Sequence, residues 1–321
     1  MMDAGKRSAS EKPVMATAFI THAACMKHEM GESHPERPGR LSAIHDQLIT
    51  SGIAGLLDHH EAPLAKMTEL TRVHPPEYVE AIRMAAPRNG IVHLDPDTAM
   101  CPHTWDATLR AAGATVLATD LVIGGRAQNA FCAVRPPGHH ATRHRSMGFC
   151  IFNNIAVAAK HALEHHGLAR VAIVDFDVHH GNGTEDIFSH DERVLMVGTF
   201  QHPFYPYSGT ENPAPNMANV PLPAGTGSRG FREAVETVWL PALERFRPEM
   251  IFISAGFDAH VEDDMAMLRF TDSDYGWVTM QLRAIADRHA QGRIVSVLEG
   301  GYDLSALGRS AVMHLRALGG L

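Results

Sequence analysis

Short unbroken apolar runs alternate along the chain with longer stretches in which apolar residues return every three or four positions. The runs at 16–21, 131–134, 171–176, 194–199, 250–254 and 294–298 lack the polar alternation of a half-exposed strand, so they predict strands buried on both faces. The periodic stretches near 38–50, 77–86, 104–123, 153–166, 229–246, 272–290 and 304–318 predict helices. One of these opens at Asn153-Asn154 and sets Ile155, Ala158, Ala159, Ala162 and Leu163 along a single stripe. Alternating strands and helices imply an α/β fold with a mainly parallel sheet covered by helices on both faces. In such folds a ligand site forms beyond the carboxyl ends of the strands.

The chemically loaded stretches fall at those ends. FCAV leads into RPPGHHA (135–141), VAIV into DFDVHHGNGT (175–184), IFIS into AGFDAH (255–260) and IVSV into LEGGYDL (298–304). Isolated charges are costly in an interior, so Asp175, Asp177, His179 and His180 directly after an apolar strand need something to hold. In extended chain, residues two apart share a side, which groups Asp175, Asp177 and His179. Two carboxylates and an imidazole can bind a divalent cation, and the cation removes their mutual repulsion. Asp258, from a different strand, is the natural third ligand. An Asp–His–Asp set leaves a coordination position open for water, as catalytic zinc requires, and it accepts Fe²⁺ as readily as Zn²⁺. The plainer alternative, that Asp175 and Asp177 cap the following helix or bond loop amides, stays open.

His139 and His140 are adjacent and cannot easily chelate one ion through both rings. They can place two imidazoles beside it, one to take a proton from water and later return it to a leaving amine. Asp175 and Asn182 are the candidates to fix their tautomers. Gly300 and Gly301 permit a tight turn after the last strand, bringing the Tyr302 phenol toward an oxyanion opposite the cation.

Composition narrows the picture. With 321 residues, 45% of them hydrophobic, the chain can bury a full core as one large domain. Residues 1–14 are polar and read as a flexible tail, leaving 15–321 as the catalytic domain. No apolar stretch approaches the roughly 18 residues of a membrane helix. A net charge of −8 without a basic run argues against nucleic-acid or membrane partners. Cys25, Cys101, Cys132 and Cys150 are dispersed with no CxxC, as expected of reduced thiols in a cytoplasmic protein. Among 22 histidines, His59-His60 and His165-His166 are expected on exposed helix ends or loops. Monomer and homo-oligomer both remain open.

RPPGHHA, GFCIFNN, DFDVHHGNGT, AGFDAH and LEGGYDL, in this order, resemble the zinc-dependent histone deacetylase superfamily. The resemblance runs from about residue 22 to the end. It includes HPERPGRL (34–41), which is similar to the mouth loop of class II and bacterial amidohydrolase-like members. It implies the single-domain arginase/deacetylase fold and removal of acetyl groups from lysine or polyamine nitrogens. By position, the resemblance makes Asp177, His179 and Asp258 the zinc ligands, His140 the general base and acid, His139 its electrostatic partner and Tyr302 the carbonyl-polarising group. Phe149 and Tyr205 would wall a narrow channel, with Met265 and Gly300 also against the substrate, and Arg37 would line an acetate exit. Asn182 stands where class I members carry Asp. A structural potassium ion is implied beside the zinc, through Asp175, Asp177 and backbone oxygens near His179, Gly198 and Thr199, although Gly198 lacks the serine hydroxyl of many members.

Two rivals differ in class. An arginase-type ureohydrolase would need two manganese ions and more carboxylates than AGFDAH supplies, and a silent acyl-amine binding module would not need His139, His140 and Tyr302 together. Within the enzyme reading, the position matching the acidic gate of polyamine-selective relatives is the apolar Met265, just after Glu262, Asp263 and Asp264. Acyl-lysine is therefore favoured over acetylpolyamines.

Overall fold

The structure, a computed structural model, describes residues 16–321, so the expected N-terminal tail lies outside the described residues. In chain order the elements are β1 (Ala18–Thr21), α1 (Gly39–Thr50), β2 (Asp58–Glu61), α2 (Met67–Leu70), α3 (Pro76–Ala85), β3 (Val92–His93), β4 (Ala99–Met100), α4 (Thr104–Ile123) and β5 (Asn129–Cys132). There follow α5 (Asn154–Glu164), β6 (Val171–Asp175), α6 (Asn182–Phe188), β7 (Val194–Gln201), β8 (Met217–Leu222), α7 (Ser228–Ala234) and α8 (Leu240–Phe246). The chain closes with β9 (Met250–Ala255), α9 (Asp272–His289), β10 (Ile294–Leu298) and α10 (Leu304–Gly319). A π-helical turn at Val235–Trp239 joins α7 to α8 into the single stretch expected near 229–246.

Eight strands form one sheet in the order β2-β1-β5-β10-β9-β6-β7-β8, and every pairing in it is parallel. The central strands are buried at every position, which is what uninterrupted apolar runs predict. The four strands that carry the loaded motifs, β5, β10, β9 and β6, are immediate neighbours at the middle of this sheet. Their register sets Cys132 beside Val297, Val297 beside Ser254, and Ser254 beside Asp175, so all four carboxyl ends finish level. The segments that follow them meet for this reason.

The sequence signal failed at the two sheet edges. β2 reads DHHE and has no apolar run, so His59 and His60 lie on an edge strand and not on a helix end or loop. β8 contains Pro221, which an edge strand tolerates because one side of it has no ladder to donate to. The strand expected at 131–134 pairs two residues earlier, and Ala133 and Val134 stay buried as the chain turns toward Arg135. All four cysteines are buried and form no disulfide, and no described helix is long and apolar enough to cross a membrane.

Candidate metal centre and channel

β6 ends at Asp175, and the chain beyond it is pinned by its own carboxylates. Asp175 accepts from the amide of Asp177 at 3.1 Å, and Asp177 accepts from the amide of His179 at 2.8 Å. Asp258, beyond β9, accepts from the amide of Val178 through Oδ1 at 2.9 Å, which ties the two loops together. The result brings Asp177, His179 and Asp258 together, each buried, with one ligand atom from each within 4.8 Å of the others. Nδ1 of His179 lies 3.0 Å from Asp177 Oδ1 and 3.3 Å from Asp258 Oδ2. The next residue, His180, turns away to Ser208 and Glu185.

Two observations show that these residues fit a divalent cation. Asp258 Oδ2 is buried without any hydrogen-bond partner, an arrangement that costs free energy unless a positive group meets it. Burial, followed by repulsion from Asp177, pushes the Asp258 carboxyl up to about 6. Against its own burial, His179 is drawn up to about 9 by Asp177 and Asp258. The space is also reserved by glycine. A Cβ on Gly300 would sit 2.0 Å from Asp258 Oδ2, and one on Gly256 would sit 2.0 Å from Asp177 Oδ2.

The histidine pair faces this set. His139 Nδ1 lies 2.9 Å from Asp175 Oδ2, and His140 Nδ1 lies 2.8 Å from Asn182 Oδ1. Both partner oxygens only accept, so each ring carries a proton on Nδ1 and turns Nε2 inward. The two environments diverge. Burial opposes charge on His139, but Asp175, Asp177 and Glu299 outweigh it and hold its pKa well above the ordinary histidine range. Burial, then the neighbouring His139 and His179, hold His140 well below that range. Glu299 steadies the pair by accepting from the amides of Gly138 and His139 at 2.7 and 3.1 Å.

Above the set opens a cavity of about 200 Å³ lined by His139, His140, His179, Phe149, Tyr205, Met265, Gly300 and Tyr302, together with Asp97, Pro137, Gly148 and Phe204. Phe149 adopts φ 68°, a conformation uncommon outside glycine, and its amide is held by Thr98 Oγ1 at 3.0 Å. That strained backbone aims its ring across the channel, edge-on to Tyr302 and to His34 of the mouth loop. Phe204 stacks on His179 at 5.5 Å, and Tyr205 stands edge-on to His140 at 5.3 Å.

The sequence matches the histone deacetylase domain over residues 34–318. It is 38% identical over 301 residues to a probable deacetylase of Archaeoglobus fulgidus, covering 90% of this chain and 82% of that protein. It is 36% identical over 310 residues to the histone deacetylase-like amidohydrolase of Pseudomonas aeruginosa, covering 89% and 81%. The chain belongs to the histone deacetylase domain family. The crystal structure of the HDA15 HD domain is similar to it with a TM-score of 0.90 at 34% identity, over 96% of this chain and 89% of that one. The parallel sheet flanked by helices is thus the arginase/deacetylase fold of that family.

Within this histone deacetylase domain one residue expectation is corrected. Arg37, expected at an acetate exit, is exposed on the surface. Arg40 is the arginine inside. It is fully buried, donates to the carbonyls of Gly301 (2.6 Å) and Glu299, and lies 4.9 Å from the centre of the Tyr302 ring. The reason is helical geometry: on α1, Arg40 shares its buried face with Leu41, Ile44 and Leu48. Asp97 and Phe204 also line the cavity; no sequence signal marks Asp97, and PFYP sets Phe204 beside Tyr205. Near Asp175, where potassium was expected, Gly198 pairs with Asp175 in the sheet, and the buried Thr199 hydroxyl has no hydrogen-bond partner.

Proposed function

We propose that this chain hydrolyses N-acylated amines, foremost the acetyl amide of N6-acetyl-lysine, using a divalent cation, Zn²⁺ or Fe²⁺, held by Asp177, His179 and Asp258. The observation that carries this reading is the unpartnered Asp258 Oδ2, converging with Asp177 and with His179, which itself lines an apolar channel. When bound there, such a cation supplies Lewis acidity that polarises a carbonyl and acidifies water.

The chain's own groups do the rest. Phe149 and Tyr205 grip the apolar stem of the acyl-amine, and Met265 and Gly300 complete the walls. His140 starts neutral, with Nδ1–H held by Asn182, so its Nε2 can take the proton of the attacking water. His139, kept positive by Asp175, sits with its ring centre 4.0 Å from that of His140 and stabilises the negative charge that develops. Tyr302 donates its hydroxyl proton in a hydrogen bond to the carbonyl oxygen as it becomes an oxyanion; burial raises its pKa, so it stays protonated. The proton taken from water passes to the departing nitrogen, releasing acetate and a free amine. A potassium ion beside Asp175, Asp177, His179, Gly198 and Thr199 is supported by the unpartnered Thr199 hydroxyl.

Acyl-lysine is favoured because no acid just before Met265 reaches the lining. Asp263 turns inward to the amides of Met265, Tyr302 and Asp303, Glu262 pairs with Arg309 at 2.8 Å, and Asp264 is exposed outside the channel. A second reading, acetylpolyamine hydrolysis, draws on Asp97, which does bring a carboxylate to the lining. The test compares kcat/KM for an acetyl-lysine peptide with N-acetylputrescine and N8-acetylspermidine. The peptide should be the better substrate. A polyamine preference of about tenfold, worth about 1.4 kcal/mol in transition-state binding, would replace the first reading with the second.

A further inference from the structure

A second group of ligating side chains lies at the far end of the sheet. Helix α4 brings Asp120 in its last turn, and α5 brings His161, with His165 and His166 just past its end. One ligand atom from each of the four lies within 4.8 Å of the others. Asp120 Oδ1 accepts from Nε2 of His161 at 2.8 Å and from Nε2 of His166 at 2.7 Å. The ring of His165, four residues beyond His161 and therefore on the same helix face, stacks on it with centroids 4.6 Å apart and planes 16° apart. His166 stands edge-on to both.

Packing alone does not explain this grouping. His165 is exposed, so burial does not hold it there, and one carboxylate is shared by two imidazoles. Three imidazoles and a carboxylate form a four-ligand set of the kind that suits zinc and its neighbours. Both helices also end here, and the partial negative charge of their carboxyl termini favours a cation. We propose that Asp120, His161, His165 and His166 form a second site for a divalent transition metal, clamping the ends of α4 and α5 away from the channel.

Loading replaces the hydrogen bonds from His161 and His166 to Asp120 with bonds to the metal, the His166 ring carrying its proton on Nδ1 instead, and it changes the contact with Arg72. Arg72 donates to Nδ1 of His161 at 2.9 Å, which leaves the ring proton on Nε2. For Nε2 to ligate, that proton must leave and Nδ1 must carry one, so Arg72 releases the ring and turns to Glu164, already 3.9 Å from it. The ring stays neutral throughout, and Asp120 enters as the carboxylate.

The test is equilibrium dialysis of the full chain against micromolar free Zn²⁺, with metal analysis of the wild type and of the double variant His165→Ala/His166→Ala. Neither side chain is fully buried, so the variant is expected to fold, and neither is near the channel. The variant should hold one zinc fewer per chain and should show a smaller zinc-dependent rise in melting temperature than the wild type, while its turnover of an acetyl-lysine peptide stays unchanged. The readout is the difference between the two proteins, so it is independent of what the channel site binds. Equal zinc content in both, with equal responses of melting temperature, would overturn the proposal.

Discussion

Two clusters of buried charge lie within a few residues of each other, and they are built on opposite principles. In the first, Glu36 sits between Arg135 and Arg40. Arg135 grips both carboxylate oxygens, Arg40 donates to Oε1 at 3.1 Å, and the remaining guanidinium nitrogens reach the carbonyls of Cys25, His28, Glu299 and Gly301. None of these three side chains is left with an unpartnered buried atom, although all are fully buried. In the second, Asp177, His179 and Asp258 gather with no cationic side chain beyond histidine, and Asp258 Oδ2 has no partner. A cluster that closes on itself fixes structure, here the loop carrying Tyr302. A cluster that stays electrically incomplete is shaped for an ion from outside. Burial is the same in both; completeness is what separates scaffold from candidate chemistry.

The clearest way to break this comparison is Glu36→Gln. Removing one partner of a buried pair leaves uncompensated charge, here on Arg135 and Arg40, so chemical denaturation should show a loss of about 3–5 kcal/mol. Burial tends to raise the Glu36 carboxyl, but Arg135, His28 and Arg40 hold it down at about 2, from an ordinary 4.5. A depressed pKa gives stability that is present above the ordinary value and lost as pH falls toward the depressed one. The penalty of Glu36→Gln should therefore be full at neutral pH and shrink below about 4.5, between there and about 2. A variant as stable as the wild type at neutral pH would mean that the cluster is not a scaffold.

On the other side, Tyr302→Phe removes the hydroxyl proposed to meet the developing oxyanion. Turnover should drop by roughly 10²–10³, with KM changing much less, because such a donor acts mainly in the transition state. Near-normal turnover would reduce Tyr302 to packing against Arg40 and Phe149. The smallest effect has the opposite sign to the first. In metal-free protein, Asp258→Asn neutralises a carboxylate whose Oδ2 is buried without a hydrogen-bond partner, while the amide oxygen can keep the bond from Val178, so stability should hold or rise by about 1 kcal/mol; with metal supplied, activity should be lost. A loss comparable to that of Glu36→Gln would show that Asp258 already has what it needs.

The same distinction explains how much was legible in the sequence. β6, β9 and β10 announce themselves as apolar runs because both their faces are buried, and β2 and β8 do not because they are edges. Asp177, His179 and Asp258 stand out because charge directly after a buried strand is anomalous. Arg40 does not, because its partners at Glu299 and Gly301 lie some 260 positions away and only the fold brings them near. Asp97 was hidden for a related reason: it follows no strand of the main sheet, and it reaches the channel through its bond to the amide of Gly148.

The most direct measurement is anomalous X-ray diffraction from crystals of the purified protein, with data at the zinc and iron edges. The result expected is a peak bounded by Asp177, His179 and Asp258, at about 2.0–2.2 Å from the ligand atoms, with Asp258 Oδ2 no longer unpartnered. Crystals of active protein with no anomalous density there, and Asp258 Oδ2 bonded only to water, would contradict it.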